Sequence, residues 1–399
     1  MLRKTITIRK NRTTISLILV IMGITLILAT ELIRYVGLSN ISILTGLQKT
    51  FVYALILIGF LLACTKKHFK MEKSGSNLLF FSLITIISTF FGVKPDILFS
   101  RQAIHLMLFV SVFWTMYIAT EQFGKSGSVG LLKFSYIFIA VLYFISIFTG
   151  KKIEGNMVYY LLMFLPFTSM IDSKILRKIL YLLQVAAVLI SNKRTALIAL
   201  VFYLVCFEWM NNKYVSRKKK VCKAVILIIL LVALYIAFPV ICEKLNITVF
   251  KELRLSHIEE DGGSNRLFIY GQLWKAQKNA GLIHWGIGSG YNSVLLSKIC
   301  TDGILGEFVS AHNDFLEVLY DYGIIGLFCY ISFFVCMFKT VTKMKKDDYK
   351  YRIPLICSII MVFFISLTSH LIIYLNYYAI TFAFWAICLA DYRYGERHE

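Results

Sequence analysis

The stretch that decides the fold is residues 313–338, NDFLEVLYDYGIIGLFCYISFFVCMF. It is longer than the roughly 20 mostly apolar residues that a helix needs to cross a bilayer. Apolar runs of similar length recur along the chain, in which 58% of the residues are hydrophobic. The pattern therefore predicts an all-α fold, a polytopic membrane helix bundle, and not a soluble globular domain.

Twelve runs qualify as transmembrane helices, and they predict a single transmembrane domain over residues 1–399. The only long polar passage, residues 242–312, follows the ninth run. The twelve runs are residues 14–35, 41–63, 77–93, 99–119, 129–149, 157–171, 175–192, 194–210, 221–241, 313–338, 352–370 and 372–390.

The basic residues predict the orientation of this bundle. The net charge is +21, and 27 of the 43 Lys and Arg residues fall in the termini and loops of one side. The positive-inside rule then places both termini in the cytoplasm and makes residues 242–312 an extracytoplasmic loop of a plasma (inner) membrane protein. This distribution argues against nucleic acid as a partner, and clusters such as 217–220 favour contact with anionic membrane lipid.

The extracytoplasmic loop contains two predicted helices. Residues 244–258 fit a helix that lies on the outer membrane face. A second helix is expected from an N-cap at Ser264 to Gly281, with Leu267, Tyr270, Trp274 and Gln277 along one stripe. Arg266 falls in its first turn, where the guanidinium and the backbone N–H groups would point at the same anion. A solvated loop arginine is the alternative.

A glycine-rich turn follows, residues 285–291, WGIGSGY. A dinucleotide-binding fingerprint requires a preceding buried strand in a βαβ unit, which the sequence lacks. We expect instead a tight turn in which the backbone approaches a ligand or the membrane surface.

His312 stands where the loop meets the span at 313–338. An imidazole titrates near neutrality, so His312 is a candidate general base for a substrate hydroxyl, with a structural role as the alternative. Asn313, Glu317 and Asp321 share one face of the span and are candidate supporting residues. Carboxylates at that depth need a wet cavity or a partner, which would be arginines that pack the bundle, His312, or a sugar hydroxyl.

Two further arginines break the positive-inside pattern. Arg194 and Arg101 each lie at the outer end of a predicted span. They could snorkel to the outer head groups. Alternatively, Arg101, Arg194 and Arg266 line one outward-facing cavity, and three planar guanidiniums would suit a diphosphate.

The nine cysteines lack CxxC or Cys/His spacing, so they indicate neither a zinc site nor a redox motif. Only Cys242 and Cys300 fall in the extracytoplasmic loop. A disulfide between them stays open.

The ordered motifs resemble the O-antigen ligase and polysaccharide polymerase superfamily of bacterial membrane proteins. They are NKRTA at 192–196, NRL at 265–267, WGIGSG at 285–290, AHNDFL at 311–316 and YDYGIIGL at 320–327. The resemblance implies inverting glycosyl transfer on the outer membrane face, with a glycan on a polyprenyl diphosphate as donor and no metal or other cofactor. It also implies that Arg194 and Arg266, with Arg101 as a weaker third, hold the diphosphate, and that His312 activates the acceptor hydroxyl.

Within this superfamily, the short outer loop and the Lys-, Ile- and Phe-rich composition favour a polymerase that joins repeat units of a capsular polysaccharide, exopolysaccharide or O-antigen. A ligase that transfers finished polymer to another acceptor is the runner-up. A flippase or transporter for the lipid-linked sugar is a third hypothesis, although transporters commonly show internal repeats and broken midplane helices. A flippase and a chain-length regulator are implied as partners by family likeness alone.

Overall fold

A computed structural model describes most of the predicted bundle. The described residues are 73–92, 101–126, 158–191, 193–211, 265–303, 306–344, 349–369, 371–372 and 375–394, together with residue 18 and scattered positions in 129–141 and 216–233. The predicted helix at 244–258 lies outside them. So do the predicted spans 41–63 and, apart from single positions, 14–35, 129–149 and 221–241.

The described residues are predominantly helical, which confirms the predicted all-α class. The described residues form twelve helices, several of them short, and one small antiparallel sheet. They are α1 Lys73–Phe91, α2 Arg101–Phe123, α3 Val158–Met163, α4 Leu165–Thr168, α5 Lys174–Ser191, α6 Arg194–Asn211, α7 Arg266–Lys278, α8 Leu282–Ile287, α9 Ser293–Leu296, β1 Cys300–Thr301, β2 Phe308–Val309, α10 Asp314–Lys343, α11 Arg352–Thr368 and α12 Leu375–Tyr394.

Most predicted spans in this part of the chain coincide with one helix each, namely α1, α2, α5, α6, α10, α11 and α12. The predicted span 157–171 is divided into α3 and α4, with Pro166 in the first turn of α4. Within the described residues, two helices are long and apolar enough to cross a membrane, at Ser74–Phe91 and Asp314–Lys343. The count of twelve spans therefore stays a prediction.

Helices α1 and α10 run antiparallel in close contact. Asn77 near the start of α1 donates its side-chain amide to Cys336 Sγ at 3.3 Å, near the end of α10. At the other end of α1, the Ser88 hydroxyl donates to the Asp321 carbonyl at 2.6 Å. Phe81 packs against the Tyr330 ring between these two points.

The contacts between helices define two ends of the bundle. At the first, which we call the site end, the Asn313 amide donates to the Leu367 carbonyl at 3.0 Å, and the Ile372 amide donates to Asp314 at 2.9 Å. At the opposite end, Lys125 pairs with Asp391 at 3.4 Å. Each end thus gathers residues that are distant in sequence.

A second, smaller core lies beneath α7. It consists of Ile269, Leu273, Val294, Cys300, Ala311 and Tyr320. The buried face of α7 is Ile269, Leu273 and Gln277, and Tyr270 packs against the same small core. Of the predicted stripe, Gln277 and Tyr270 therefore face the protein, whereas Leu267 is 85% exposed and Trp274 is also exposed. The helix ends at Lys278 and not at Gly281.

Candidate functional site

Arg266 is the first residue of α7, as predicted. The preceding residue is Asn265, with a left-handed φ of 51°, a conformation that Asn tolerates better than most residues. The Asn265 side-chain amide donates to the Asp302 carbonyl at 2.9 Å, which ties the start of α7 to the loop after β1. The Nε atom of Arg266 is buried and has no hydrogen-bond partner in the described part of the chain. A buried, unpaired donor on a guanidinium suits an incoming anion.

His312 is held on a rigid turn. Its φ is 52°, which is left-handed. The Ala311 amide before it donates to Glu317 Oε2 at 2.6 Å, and the His312 carbonyl accepts from the Tyr270 hydroxyl at 3.4 Å. After it, Asn313 caps α10 by accepting from the Phe315 and Leu316 amides at 3.0 and 3.1 Å. These contacts fix the backbone from which the imidazole projects.

Arg266 and His312, predicted from separate motifs, lie together. Burial, together with the nearby positive charges of Arg266 and Lys193, lowers the pKa of His312 to about 4. Tyr270 lies one turn after Arg266 on α7 and contacts His312, which joins the two residues by geometry as well as by charge. The imidazole is therefore neutral at pH 7 and is in the state that accepts a proton.

Polar side chains from three more elements lie close to Arg266. Tyr159 in the first turn of α3 hydrogen-bonds with the side chains of Thr195 and Ser369, and Arg266 is within electrostatic range of it. Thr195 is the second residue of α6, and Ser369 follows α11. The site end therefore gathers the starts of α3, α6 and α7 with the His312 turn.

The two other predicted arginines begin helices. Arg194 is the first residue of α6, between Lys193 and Thr195, so its backbone is at the site end. Arg101 is the first residue of α2. The side chains of both lie outside the described residues, so a cavity shared with Arg266 stays a prediction.

Glu317 and Asp321, two of the three buried carboxylates of α10, accept hydrogen bonds from backbone amides within the described structure. Asp321 accepts from the Asn292 amide at 2.7 Å, and from the Ser293 amide and hydroxyl at 3.0 and 2.6 Å. Glu317 accepts from Ala311, and its second oxygen has no partner among the described residues. Of the alternatives left open for these carboxylates, pairing with an arginine is not seen among the described residues. Glu317 instead anchors the backbone next to His312.

The glycine-rich turn packs its backbone against α10, and its expected approach to a ligand or to the membrane surface stays a prediction. The Ser289 and Gly290 amides donate to the Tyr320 and Asp321 carbonyls at 3.2 and 2.7 Å. A side chain at Gly288 would overlap the Asp321 backbone, and one at Gly323 would overlap that of Gly286. Both glycines have positive φ, 78° and 66°. Backbone approaches backbone here, which only glycine permits.

Two further titratable residues of the described loop are Cys300 and His284. Cys300 is a free, buried thiol. Burial and the nearby charge of Glu317 together raise its pKa to about 12. Cys242 lies outside the described residues. His284 contacts the Ser289 hydroxyl through Nδ1 and Gln277 through Nε2, the latter at 3.1 Å, and its ring packs on Tyr320. This network secures the glycine turn.

Sequence reasoning missed several residues of the site end. Lys193 lies next to the predicted Arg194, so its position in the same motif was a usable signal. Asp314, which accepts from Ile372 and from the Tyr330 hydroxyl, follows Asn313 in the predicted motif. Tyr159 and Ser369 carried no local signal, because only the packing of α3, α6 and α11 brings them to Arg266.

A family model described as O-antigen ligase matches residues 179–331. The matched segment includes Arg194, Arg266 and His312, while Arg101 lies before it. It supports the predicted superfamily, a membrane location and transfer of the ligase or polymerase type. No curated protein was found to match the chain.

Proposed function

We propose that this chain, whose residues 179–331 belong to the O-antigen ligase family, is a polymerase that joins lipid-diphosphate-linked oligosaccharide repeat units on the outer face of the plasma membrane. One observation carries the proposal. A guanidinium whose buried Nε has no partner among the described residues lies near an imidazole held neutral, at one end of a membrane helix bundle. This pairs an anion-binding group with a proton acceptor.

In the proposed reaction, an acceptor sugar hydroxyl attacks the anomeric carbon of the donor. The new glycosidic C–O bond forms as the bond from the anomeric carbon to the diphosphate oxygen breaks, with inversion. His312 takes the hydroxyl proton, and the polyprenyl diphosphate leaves as an anion. Arg266, Arg194 and Arg101 stabilise the charge that builds on it, because fixed cations are most effective where water is excluded.

The neutral state of His312 fits this sequence of events. Before the donor binds, Arg266 and Lys193 disfavour a positive charge on the imidazole. A bound diphosphate would offset both cations and raise the pKa of His312 toward neutrality. The base would then become stronger only when the leaving group is in place.

The charge of the opposite end supports the proposed orientation. Lys125 there pairs with Asp391, Arg352 donates to the Val341 carbonyl, and Lys343 ends α10. By the positive-inside rule, this end and both termini would lie in the cytoplasm and the site end outside. A lipid-linked donor would reach the site from the outer leaflet.

The decisive experiment uses purified protein in nanodiscs with a synthetic polyprenyl-diphosphate repeat unit as sole substrate. A polymerase converts it to longer products whose new linkage has inverted anomeric configuration by NMR. A ligase leaves it unchanged until a second acceptor is added. In cells, loss of a polymerase leaves single lipid-linked units outside the membrane, whereas loss of a flippase traps them inside.

Variants of the two central residues test their roles. Arg266→Lys should lower product formation at least tenfold, because an ammonium group cannot make the paired hydrogen bonds that a planar guanidinium makes to phosphate. The matched control is Lys275→Ala, which removes a cation from the exposed side of the same helix. His312→Asn should abolish transfer while it keeps the left-handed turn, since Asn accepts positive φ. Full activity of Arg266→Lys and His312→Asn would refute the proposed site.

A further inference from the structure

The outer loop presents large apolar side chains that nothing in the described structure covers. Leu282 is 91% exposed, Ile283 78% and Leu267 85%, and Trp274 is also exposed. The Trp274 and Trp285 rings meet edge to face with centroids 6.2 Å apart, which links the exposed sides of α7 and α8. We call Leu267, Trp274, Leu282 and Ile283 the outer apolar patch. Such clusters on a folded surface mark a contact site.

The position of α8 along α10 indicates what the patch contacts. A side chain at Gly323 of α10 would overlap the backbone of Gly286 in α8, so the two glycines lie at the same height along the axis of α10. From Gly323 to Lys343, α10 rises about 30 Å, which is the thickness of a bilayer core. Gly92, which follows α1, lies against Ser289 beside the same turn. Helix α8 therefore lies where two spans leave the hydrocarbon.

The same two spans also expose apolar side chains of their own. On α10, Ile324 is 57% and Phe328 72% exposed, and Phe91 at the end of α1 is 70% exposed. Lys278 lies over the Trp274 ring, 5.8 Å from its centroid. Tryptophan and lysine next to apolar side chains are typical of the membrane–water interface, where lysine meets anionic head groups.

We propose that the outer apolar patch inserts into the lipid interface of the outer leaflet and anchors the extracytoplasmic loop there. Its occupant is membrane phospholipid. Helix α8 is thereby held on one side by lipid and on the other by the glycine turn against α10. The choice of leaflet rests on the proposed function. The inference that the patch inserts rests on its height along α10 and on the exposure of its apolar side chains.

Site-specific photo-crosslinking tests this inference. A benzophenone amino acid replaces Leu282 or Ile283, and the control position is the exposed Glu307 before β2. The protein is placed in nanodiscs of phosphatidylethanolamine and phosphatidylglycerol, without glycan donor, and irradiated. Mass spectrometry should find phospholipid adducts at least tenfold more abundant at residues 282 and 283 than at Glu307.

Equal adduct levels at all three positions, or adducts only to a second protein copy, would overturn the inference. The assay does not require catalysis, so the His312→Asn variant should give the same adducts as the parent. If no adducts form at residues 282 and 283 while the protein still polymerises the donor, the lipid anchor is refuted and the proposed function stands. If adducts form but the protein does not polymerise the donor, the proposed function is refuted and the anchor stands.

Discussion

Replacement of Gly323 by alanine should break the contact between α8 and α10. Gly323 has φ 66° and ψ −170°, a region that only glycine occupies readily, and a methyl group there would overlap the Gly286 backbone. The strained conformation costs about 1–3 kcal/mol, and overpacking against a fixed backbone adds about 1–3 kcal/mol. The expected loss is therefore roughly 2–6 kcal/mol for the α8 contact.

Hydrogen exchange in nanodiscs measures this loss locally. The Ser289 and Gly290 amides, which donate to α10 carbonyls, should exchange at least about 30-fold faster in Gly323→Ala, since about 2 kcal/mol changes an opening equilibrium by that factor. The matched control is Gly271→Ala, because a methyl group at Gly271 in α7 meets nothing within 4 Å. That variant should be neutral or stabilised by about 0.5–1 kcal/mol. Identical exchange in the two variants would refute the close backbone contact.

Three further predictions follow from single side chains. Because the pKa of His312 is lowered to about 4 in the free protein, kcat/KM for transfer should persist at pH 5.5, where roughly 3% of the free imidazole is protonated, and be lost as the pH falls through 4; a midpoint at 6.5 in NMR titration of the free protein would contradict the lowered pKa. Asp321→Ala should destabilise the protein by about 1–3 kcal/mol in denaturant unfolding, since the buried Asn292 and Ser293 amides lose their acceptor; unchanged stability would show that water replaces the carboxylate. Cys300, a buried thiol whose pKa is raised to about 12, should resist maleimide at pH 7, whereas a cysteine introduced by Glu307→Cys at an exposed loop position should react within minutes; rapid labelling of both in peptide mass mapping would disprove the burial of Cys300.

Prediction from sequence succeeded where a local rule decided the outcome. The apolar run at 313–338 became α10, and the polar start of the second loop helix became α7 with Arg266 in its first turn. Helix length and hydropathy are properties of consecutive residues, so they are visible before folding. The stripe predicted on α7 did not identify the buried face, because Leu267 and Trp274 are apolar yet exposed.

The partners of the buried carboxylates could not be read from the chain. Glu317 and Asp321 suggested arginine partners, yet each accepts backbone amides from the loop that packs over α10. An amide donor carries no signature of residue type, so no sequence pattern reveals it. The partner of the glycine-rich turn was hidden in the same way. The glycines indicated that the backbone makes a close approach, but they did not show that α10 is the element approached.

The sequence by itself determined an α-helical membrane protein and marked Arg266 and His312 as unusual, because the bilayer imposes a length and a polarity on every helix that crosses it. Only the tertiary structure decided that these two residues meet, with Lys193 and Tyr159 beside them. Their proximity depends on how α3, α6, α7 and α10 pack. That packing is a balance of many weak contacts between residues far apart in the chain, and no single stretch encodes it.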